Sequence, residues 1–332
     1  MDATMRSATL GQLGQALDQP LSIYLLVDPM LGEPLPGLNT ADSGDVDALR
    51  QAAWQREVAT IPLHPSVSLD PYQYPYLVNM NGLDDPTLEL SLEIAHEERS
   101  DGLDAGLAGE GGAALRIGGW LQTSMHMDQL ATQLSSLLRV NTEARTSATY
   151  LRLVDRRVLA LLRSAAGDDA VRAQFGRLHS WTYLDSLGTL ASLCSAGEAA
   201  APLRLSAAEW EQMALGATLH RTLRQWLGEM QRRALPVAED EAALFRRAAH
   251  ALIGARALAA QLPHRFREQH DLTTWAALSM LHPGLWDHDN IRQLMRRAAS
   301  EQEESDRLVY LVADIEQLMA ANAEGARAPS IG

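Results

Sequence analysis

The spacing of apolar residues changes once along the chain, near Leu205, and this change restricts the folds that the chain can adopt. Before this point, short apolar runs stopped by Pro, Asn or Gly alternate with amphipathic segments, as in proteins that mix strands and helices. After it, apolar residues recur every three or four positions, which is typical of helices. We therefore predict an α/β or α+β N-terminal lobe with a small mixed sheet over residues 1–204, an all-α lobe over 205–323 and a disordered tail over 324–332.

Turn and capping residues delimit the elements expected in the N-terminal lobe. The stretch from Ser100 to Gly119 is rich in Gly, Ala and acidic residues, so we predict a mobile loop there. Strands are predicted at 22–29, 75–81 and 148–154, and helices at 46–54, from residue 85 onwards, at 127–138 and from residue 158.

The C-terminal lobe carries its own helix signals. Ser206 and Glu209 have the spacing of a capping box, which predicts that a helix begins there and continues to Met230. Further helices are predicted at 240–262 and 272–281, from about residue 290, and around the apolar stripe 308–318.

Charge is unevenly distributed along the chain. Residues 1–147 hold 20 Asp and Glu against 7 Arg, a formal charge of −13, whereas the remainder carries −1. An acidic half repels phosphate, which argues against nucleic acid or an anionic membrane as partner and is compatible with a partner that has a basic surface. Charge alone, however, is explained as well by a role in keeping the protein in solution. The sequence shows no secretory signal pattern and no apolar run of the ~18 residues that span a bilayer, so a cytoplasmic protein is expected.

A search for catalytic chemistry finds few candidates. Cys194 is the only cysteine, which excludes an internal disulfide and a Cys-based zinc site, and no G-x-S-x-G nucleophile motif occurs. His282, His288 and Asp289 could ligate a metal, but His288 with its neighbours Asp287 and Asp289 is more typical of residues that cap the helix expected near Asn290. We therefore expect no cofactor and no enzymatic activity.

The most informative segment is "YLRLVDRRVLALL", in which a predicted strand meets a predicted helix. Asp155 stands at the joint, where an aspartate accepts hydrogen bonds from the first N–H groups of a helix. Either Arg152 or Arg157 could form a bidentate ion pair with it. The joint is therefore interpreted as a structural fastening.

Four segments together resemble the bacterial family called domain of unknown function 4123. They are "YLLVDPM", which contains Asp28, then "GGWLQTSMHMDQLATQL", "YLRLVDRRVLALL" and "GRLHSWTYLD", which contains Trp181. The third is similar to an R-x-x-D-P-R joint of that family, onto which Arg152, Asp155 and Arg157 map. Arg156 stands where the family has Pro, and Pro29 where a small residue is usual.

The resemblance implies an adaptor chaperone of type VI secretion. Such a protein binds a toxic effector in the cytoplasm, through an N-terminal or PAAR-type segment, and helps to load it onto the VgrG spike. The alternatives are a metal-dependent hydrolase using His282, His288 and Asp289, and a helical regulator with a ligand-binding α/β lobe.

Overall fold

The computed structural model describes residues 3–41, 43–107, 114–143, 147–197, 202–297 and 307–327, with side chains at all of these except 3–7, 103–107 and 323–327. The chain divides into two compact units, Met1–Ala105 with Gly112–Ala214, and Gly106–Gly111 with Leu215–Gly332. Strands occur up to Leu205 and helices dominate after it, as the change in apolar spacing predicts.

The first unit contains helices and strands in alternation. Its strands are β1 (Ser22–Val27), β2 (Val58–Thr60), β3 (Tyr76–Met80), β4 (Ile117–Thr123), β5 (Arg139–Thr142), β6 (Thr149–Tyr150), β7 (Leu178–Leu184), β8 (Leu190–Cys194) and β9 (Arg204–Leu205). Its helices are α1 (Ala3–Ala16), α2 (Val46–Trp54), α3 (Pro86–Leu107), α4 (Met127–Leu137), α5 (Arg156–Ala166), α6 (Asp168–Arg172) and α7 (Ala207–Ala214). Two short 3₁₀ helices follow β1 and β2, at Pro29–Leu31 and Pro71–Gln73.

The main sheet has six strands in the order β2-β3-β1-β4-β7-β8, and every neighbouring pair is antiparallel. The predicted small mixed sheet exists as a separate three-stranded sheet, β6-β5-β9, in which β5 and β9 are parallel. The six-stranded antiparallel sheet was not predicted, because β4 and β7 were not recognised as strands.

Helices cover both faces of the main sheet. Along β1, Tyr24 and Leu26 point to a core shared with α4 and α5, whereas Leu25 and Val27 point to a core shared with α1 and α3. This period of two follows from the pleat of a strand, and a strand covered on both faces reads as a continuous apolar run.

One end of the sheet brings the candidate site together. There β1 ends, β4 begins, and Val27 pairs with Ile117 across the two strands. As a result Asp28 and Arg116, the residues just beyond this pair, are neighbours, and the Asp28 N–H donates to the Arg116 carbonyl over 2.7 Å.

Three predicted segments differ from the structure. The strand predicted at 148–154 is limited to Thr149–Tyr150, because hydrogen bonds from Leu153 N to Leu151 O and from Asp155 N to Arg152 O turn the chain. Within the predicted loop at 100–119, α3 continues to residue 107 and β4 begins at residue 117, while residues 108–113 lie outside the described part.

The third difference concerns the predicted tail. The last helix, α12 (Leu308–Arg327), continues through the first residues of that tail, and residues 328–332 are not among those described. Apolar residues at helical spacing hold the helix in place, since Leu308 and Ile315 are fully buried.

The second unit consists of helices α8 (Gly216–Arg232), α9 (Glu241–Gln261), α10 (Gln269–Leu281), α11 (Asp289–Arg296) and α12, with a 3₁₀ turn at Leu285–Asp287. The helix predicted from Ser206 to Met230 is interrupted at Leu215, so that α7 belongs to the first unit and α8 to the second. Asp240 caps α9 as expected, since its Oδ1 accepts from Ala243 N over 2.7 Å. No helix in the described ranges has the length and hydropathy needed to cross a bilayer.

Candidate functional site

The joint at Asp155 has the geometry expected of a cap and an ion pair. Asp155 is the N-cap of α5, and its Oδ1 accepts from Arg157 N over 3.0 Å. The Arg157 guanidinium returns to the same carboxylate, with Nε 2.9 Å from Oδ1 and Nη2 2.7 Å from Oδ2. One carboxylate thus satisfies a helix N-terminus and a bidentate arginine at once.

Arg152 makes its main contact elsewhere. Its Nε lies 2.5 Å from Oδ2 of Asp28, whereas its Nη1 is 3.8 Å from Oδ2 of Asp155. Asp28 also caps the 3₁₀ helix that follows β1, because its Oδ1 accepts from Met30 N over 3.1 Å. We call Asp28, Arg152, Asp155 and Arg157 the motif cluster. Arg152 joins the end of β1 to the start of α5.

A second set of charges lies deeper and is built around Arg156. This residue is 4% exposed, and its Nη2 donates to Ala95 O over 2.8 Å and lies 3.6 Å from Oε2 of Glu98. Glu98 in turn accepts from Arg116 N over 2.9 Å, and Arg116 O accepts from Asp28 N. The buried guanidinium therefore ties α5 to α3 and, through Glu98, to the start of β4.

Trp181 lies beside the motif cluster without touching its charges. It is fully buried in β7 and its Nε1 donates to Gly118 O over 3.0 Å. A Cβ on Gly118 would come within 2.6 Å of Val154 O, so the backbone before Asp155 packs directly on this glycine. Trp181 thus fixes the part of β4 on which the joint rests.

Burial raises the pKa of a carboxyl group, whereas pairing with an arginine lowers it. Burial raises the pKa of Asp28 and of Glu98, and the neighbouring arginines offset this rise only in part. Burial also opposes ionisation of Asp155, but the hydrogen bonds and charge of Arg157, together with the charge of Arg152, hold its pKa below the usual range. Burial and the charge of Asp28 raise the pKa of Tyr150 to about 12.

This arrangement holds elements together. Both carboxylates of the motif cluster are nearly inaccessible, at 2% and 3% exposure, and each is engaged by an arginine. Arg152 and Arg157 have side chains about a quarter exposed, so the cluster reaches the surface only through its cations. Structural ion-pair networks of this kind perturb pKa values without any catalytic role.

The residues considered for a metal site take separate positions in the second unit. His282 is the C-cap of α10 and His288 the N-cap of α11, without a side-chain capping bond, while Asp289 pairs with Arg292. In the described part of the chain, no three His, Cys, Asp or Glu residues are grouped to hold a metal ion.

One buried network was not found by the sequence analysis. Arg50 in α2 is completely buried, with Nε 2.9 Å from Oε1 of Glu33, Nη2 2.7 Å from Tyr72 O and the guanidinium carbon 4.1 Å from the centre of the Tyr76 ring. The available signal was its position four residues before Trp54, on the apolar face of a short helix.

The fold and the site define a protein with an antiparallel sheet between helices, fastened by arginine–carboxylate pairs at one end, and with a separate helical unit. No family model, curated protein or solved structure matches the chain. The resemblance based on the four motifs therefore stays a prediction.

Proposed function

We propose that the protein is a non-enzymatic adaptor chaperone of type VI secretion. It would act in the cytoplasm, bind a toxic effector through an N-terminal or PAAR-type segment, and help to load that effector onto the VgrG spike. The proposal follows from the family that the motifs resemble, and the site supports it as described next.

The observation that carries the proposal is the ion pair between Asp28 and Arg152. These residues come from two motifs that are far apart in sequence, and their side chains meet at 2.5 Å. Short motifs that match a family by chance have no reason to converge on one cluster. Here the first-strand motif and the strand–helix joint form a single network, which is the behaviour of one structural signature.

The chemistry of the cluster favours a scaffold. An enzyme that used Asp28 or Asp155 as acid or base would need the carboxylate within reach of a substrate. Both carboxylates are instead buried and held by Arg152 and Arg157. The adaptor function would then depend on surfaces that the fastened sheet presents, and not on the cluster itself.

The test is to co-express the chain with the proteins encoded beside its gene, to ask whether a toxin and a spike protein are among them, and to purify the chain under native conditions. We expect a stable complex with the toxin, and we expect deletion of the chain to stop secretion of that toxin while the other spike components are still secreted. An acidic cytoplasmic protein of similar charge serves as the control for nonspecific attraction. Purification without any neighbouring protein, together with unchanged secretion, would contradict the proposal.

A further inference from the structure

The opposite end of the main sheet carries an open groove of about 800 Å³. It lies where β1 and β7 begin and β4 and β8 end. Its apolar lining comes from three buried side chains, three half-buried ones and one exposed proline: Leu153, Leu162, Val171, Leu21, Leu137, Leu203 and Pro202.

Basic residues line the described part of the rim of the groove. Arg139, Arg177 and His179 line it and are exposed, and none of the described lining residues is acidic. Among the described residues, neither arginine side chain forms an ion pair or a hydrogen bond. This differs from the arginines of the motif cluster, which are used to hold carboxylates. In a chain with a net charge of −14, two exposed arginines left beside an apolar groove favour an anionic partner.

We propose that this groove binds a peptide segment of the client protein that combines apolar side chains with Asp or Glu. The proposal rests on the adaptor function and adds the chemistry of the segment that is recognised. Apolar side chains would pack against the apolar lining, where burial contributes most of the affinity. Carboxylates would face Arg139 and Arg177, which set register and choice of partner.

The lining favours a peptide over a small amphiphile. Ser124, Ser136 and Gln174 stand among the apolar and cationic residues and offer donors and acceptors to a peptide backbone. Gly176 and Gly197 also line the groove, and a Cβ on Gly197 would meet nothing within 4 Å. A fatty acid has one charge and no backbone, so it would use only part of this surface.

The local charge also refines what the composition suggests. The −13 of residues 1–147 favours a basic partner surface, yet Arg139 lies within that range, and Arg177 and His179 lie in the nearly neutral remainder. Net charge governs long-range attraction, whereas the residues at the contact decide which segment binds. The client would then be basic elsewhere and acidic in the segment that enters the groove.

The experiment begins with selection of a displayed library of random peptides on the full chain. We expect enrichment of peptides that combine apolar residues with Asp or Glu. The variant Arg139→Glu/Arg177→Glu should bind the selected synthetic peptide about tenfold or more weakly, because each such pair contributes several-fold. The same peptide with Lys at every acidic position should prefer the variant over the wild type.

The control is Arg246→Glu/Arg256→Glu, which makes the same change in net charge on the exposed face of α9. It should bind the acidic peptide like the wild type.

A photo-crosslinking amino acid at Ser136, in the complex with the co-expressed effector, should then mark an acidic, apolar segment of that effector. An Arg139→Glu/Arg177→Glu variant that had lost its fold would bind neither peptide. Its preference for the Lys peptide would therefore show that residues 139 and 177 recognise charge directly.

Three results would overturn the inference: enrichment of basic peptides, equal binding of the acidic peptide by the wild type and by the Arg139/Arg177 variant, or binding of dodecanoate but of no peptide. If the effector still copurifies in any of these cases, the adaptor proposal stands without the groove. If acidic peptides are selected but no effector copurifies, the groove is a peptide site and the adaptor proposal fails.

Discussion

At the scale of single residues, the joint at Asp155 shows how the burial of a carboxylate determines its contribution to the stability of the fold. Asp155 and Asp168 each hold an arginine in bidentate geometry and both lie at helix N-termini. Asp155 is buried, whereas the Asp168 side chain is 46% exposed. Water competes for the exposed pair and little for the buried one.

We therefore expect Asp155→Ala to lower the free energy of unfolding by about 2–4 kcal/mol, because it removes a cap and leaves Arg157 without its carboxylate. Asp168→Ala, the matched control, should lower it by less than about 1 kcal/mol. Urea denaturation followed by circular dichroism measures both. If Asp155→Ala unfolds like the wild type and yet fails to bind a partner, Asp155 is a contact residue and the fastening interpretation is wrong.

The identity of Asp155 as a cap could be predicted from sequence, whereas the partner of Arg152 could not. A cap depends on neighbours along the chain, and "VDRR" contains all of them. The pairing of Arg152 with Asp28 depends on which strand ends beside the joint. Only the topology of the sheet supplies that information.

At the scale of elements, strand β4 shows why the main sheet was underestimated. Its sequence "IGGWLQT" contains two glycines, which lower strand propensity and suggested a loop. All seven residues are nevertheless buried. The glycines are present because neighbours approach closely: a Cβ on Gly119 would lie 2.4 Å from Thr182 O and 2.9 Å from the Trp181 Nε1.

Helices with polar caps were predicted well for the opposite reason. Asp240, Ser206 and Asp155 mark helix starts through bonds to residues two or three positions away. Pairing of β4 with β1 and β7 depends on distant segments and leaves no local signal. Strand β7 was missed likewise, because its Trp181 and Tyr183 stand among His, Ser and Thr.

Gly119→Ala tests the close approach. Gly119 has φ of +133°, so alanine is strained there before any clash is counted, and we expect a loss of about 3 kcal/mol or more in unfolding free energy. Gly167→Ala, also at positive φ but with nothing within 4 Å of its Cβ, should cost only about 1 kcal/mol. Equal losses for the two variants would mean that backbone strain alone explains Gly119. The emission of Trp181 should also change in the Gly119 variant only.

At the scale of the whole molecule, the buried carboxylates predict opposing effects of pH on stability. Asp85 is buried and bidentate to Arg56, with Nε–Oδ2 of 2.8 Å and Nη2–Oδ1 of 2.9 Å. Burial raises its pKa, but bonds from Arg56, Asn81 and Thr87 outweigh this and hold the pKa well below the usual range. Asp28 and Glu98 have raised pKa values because of burial.

The signs of these two effects differ. A carboxyl whose pKa is lowered by folding stabilises the fold above its unfolded pKa of about 4, and this stabilisation is lost as pH falls further. A carboxyl whose pKa is raised contributes stability that is fully present below about pH 4 and is lost as pH rises through its folded pKa. Stability should therefore be highest in mildly acidic solution and fall steeply below about pH 4.

Asp85→Asn tests the predicted loss of stability below about pH 4. The variant should be about 1–3 kcal/mol less stable than the wild type at pH 7, because the charged partner of Arg56 is gone. The difference should shrink steadily as pH falls below about 4, because the unfolded wild-type carboxyl takes up a proton there while the folded one, with its lowered pKa, stays charged. Glu97→Gln, on the exposed side of α3, should follow the wild-type curve throughout. Urea unfolding at a series of pH values measures the stability of the wild type and of both variants. A difference between Asp85→Asn and the wild type that stays constant from pH 7 to 2 would contradict the prediction. It would show that shape and hydrogen bonding, and not the charge of Asp85, hold Arg56 and the start of α3 together.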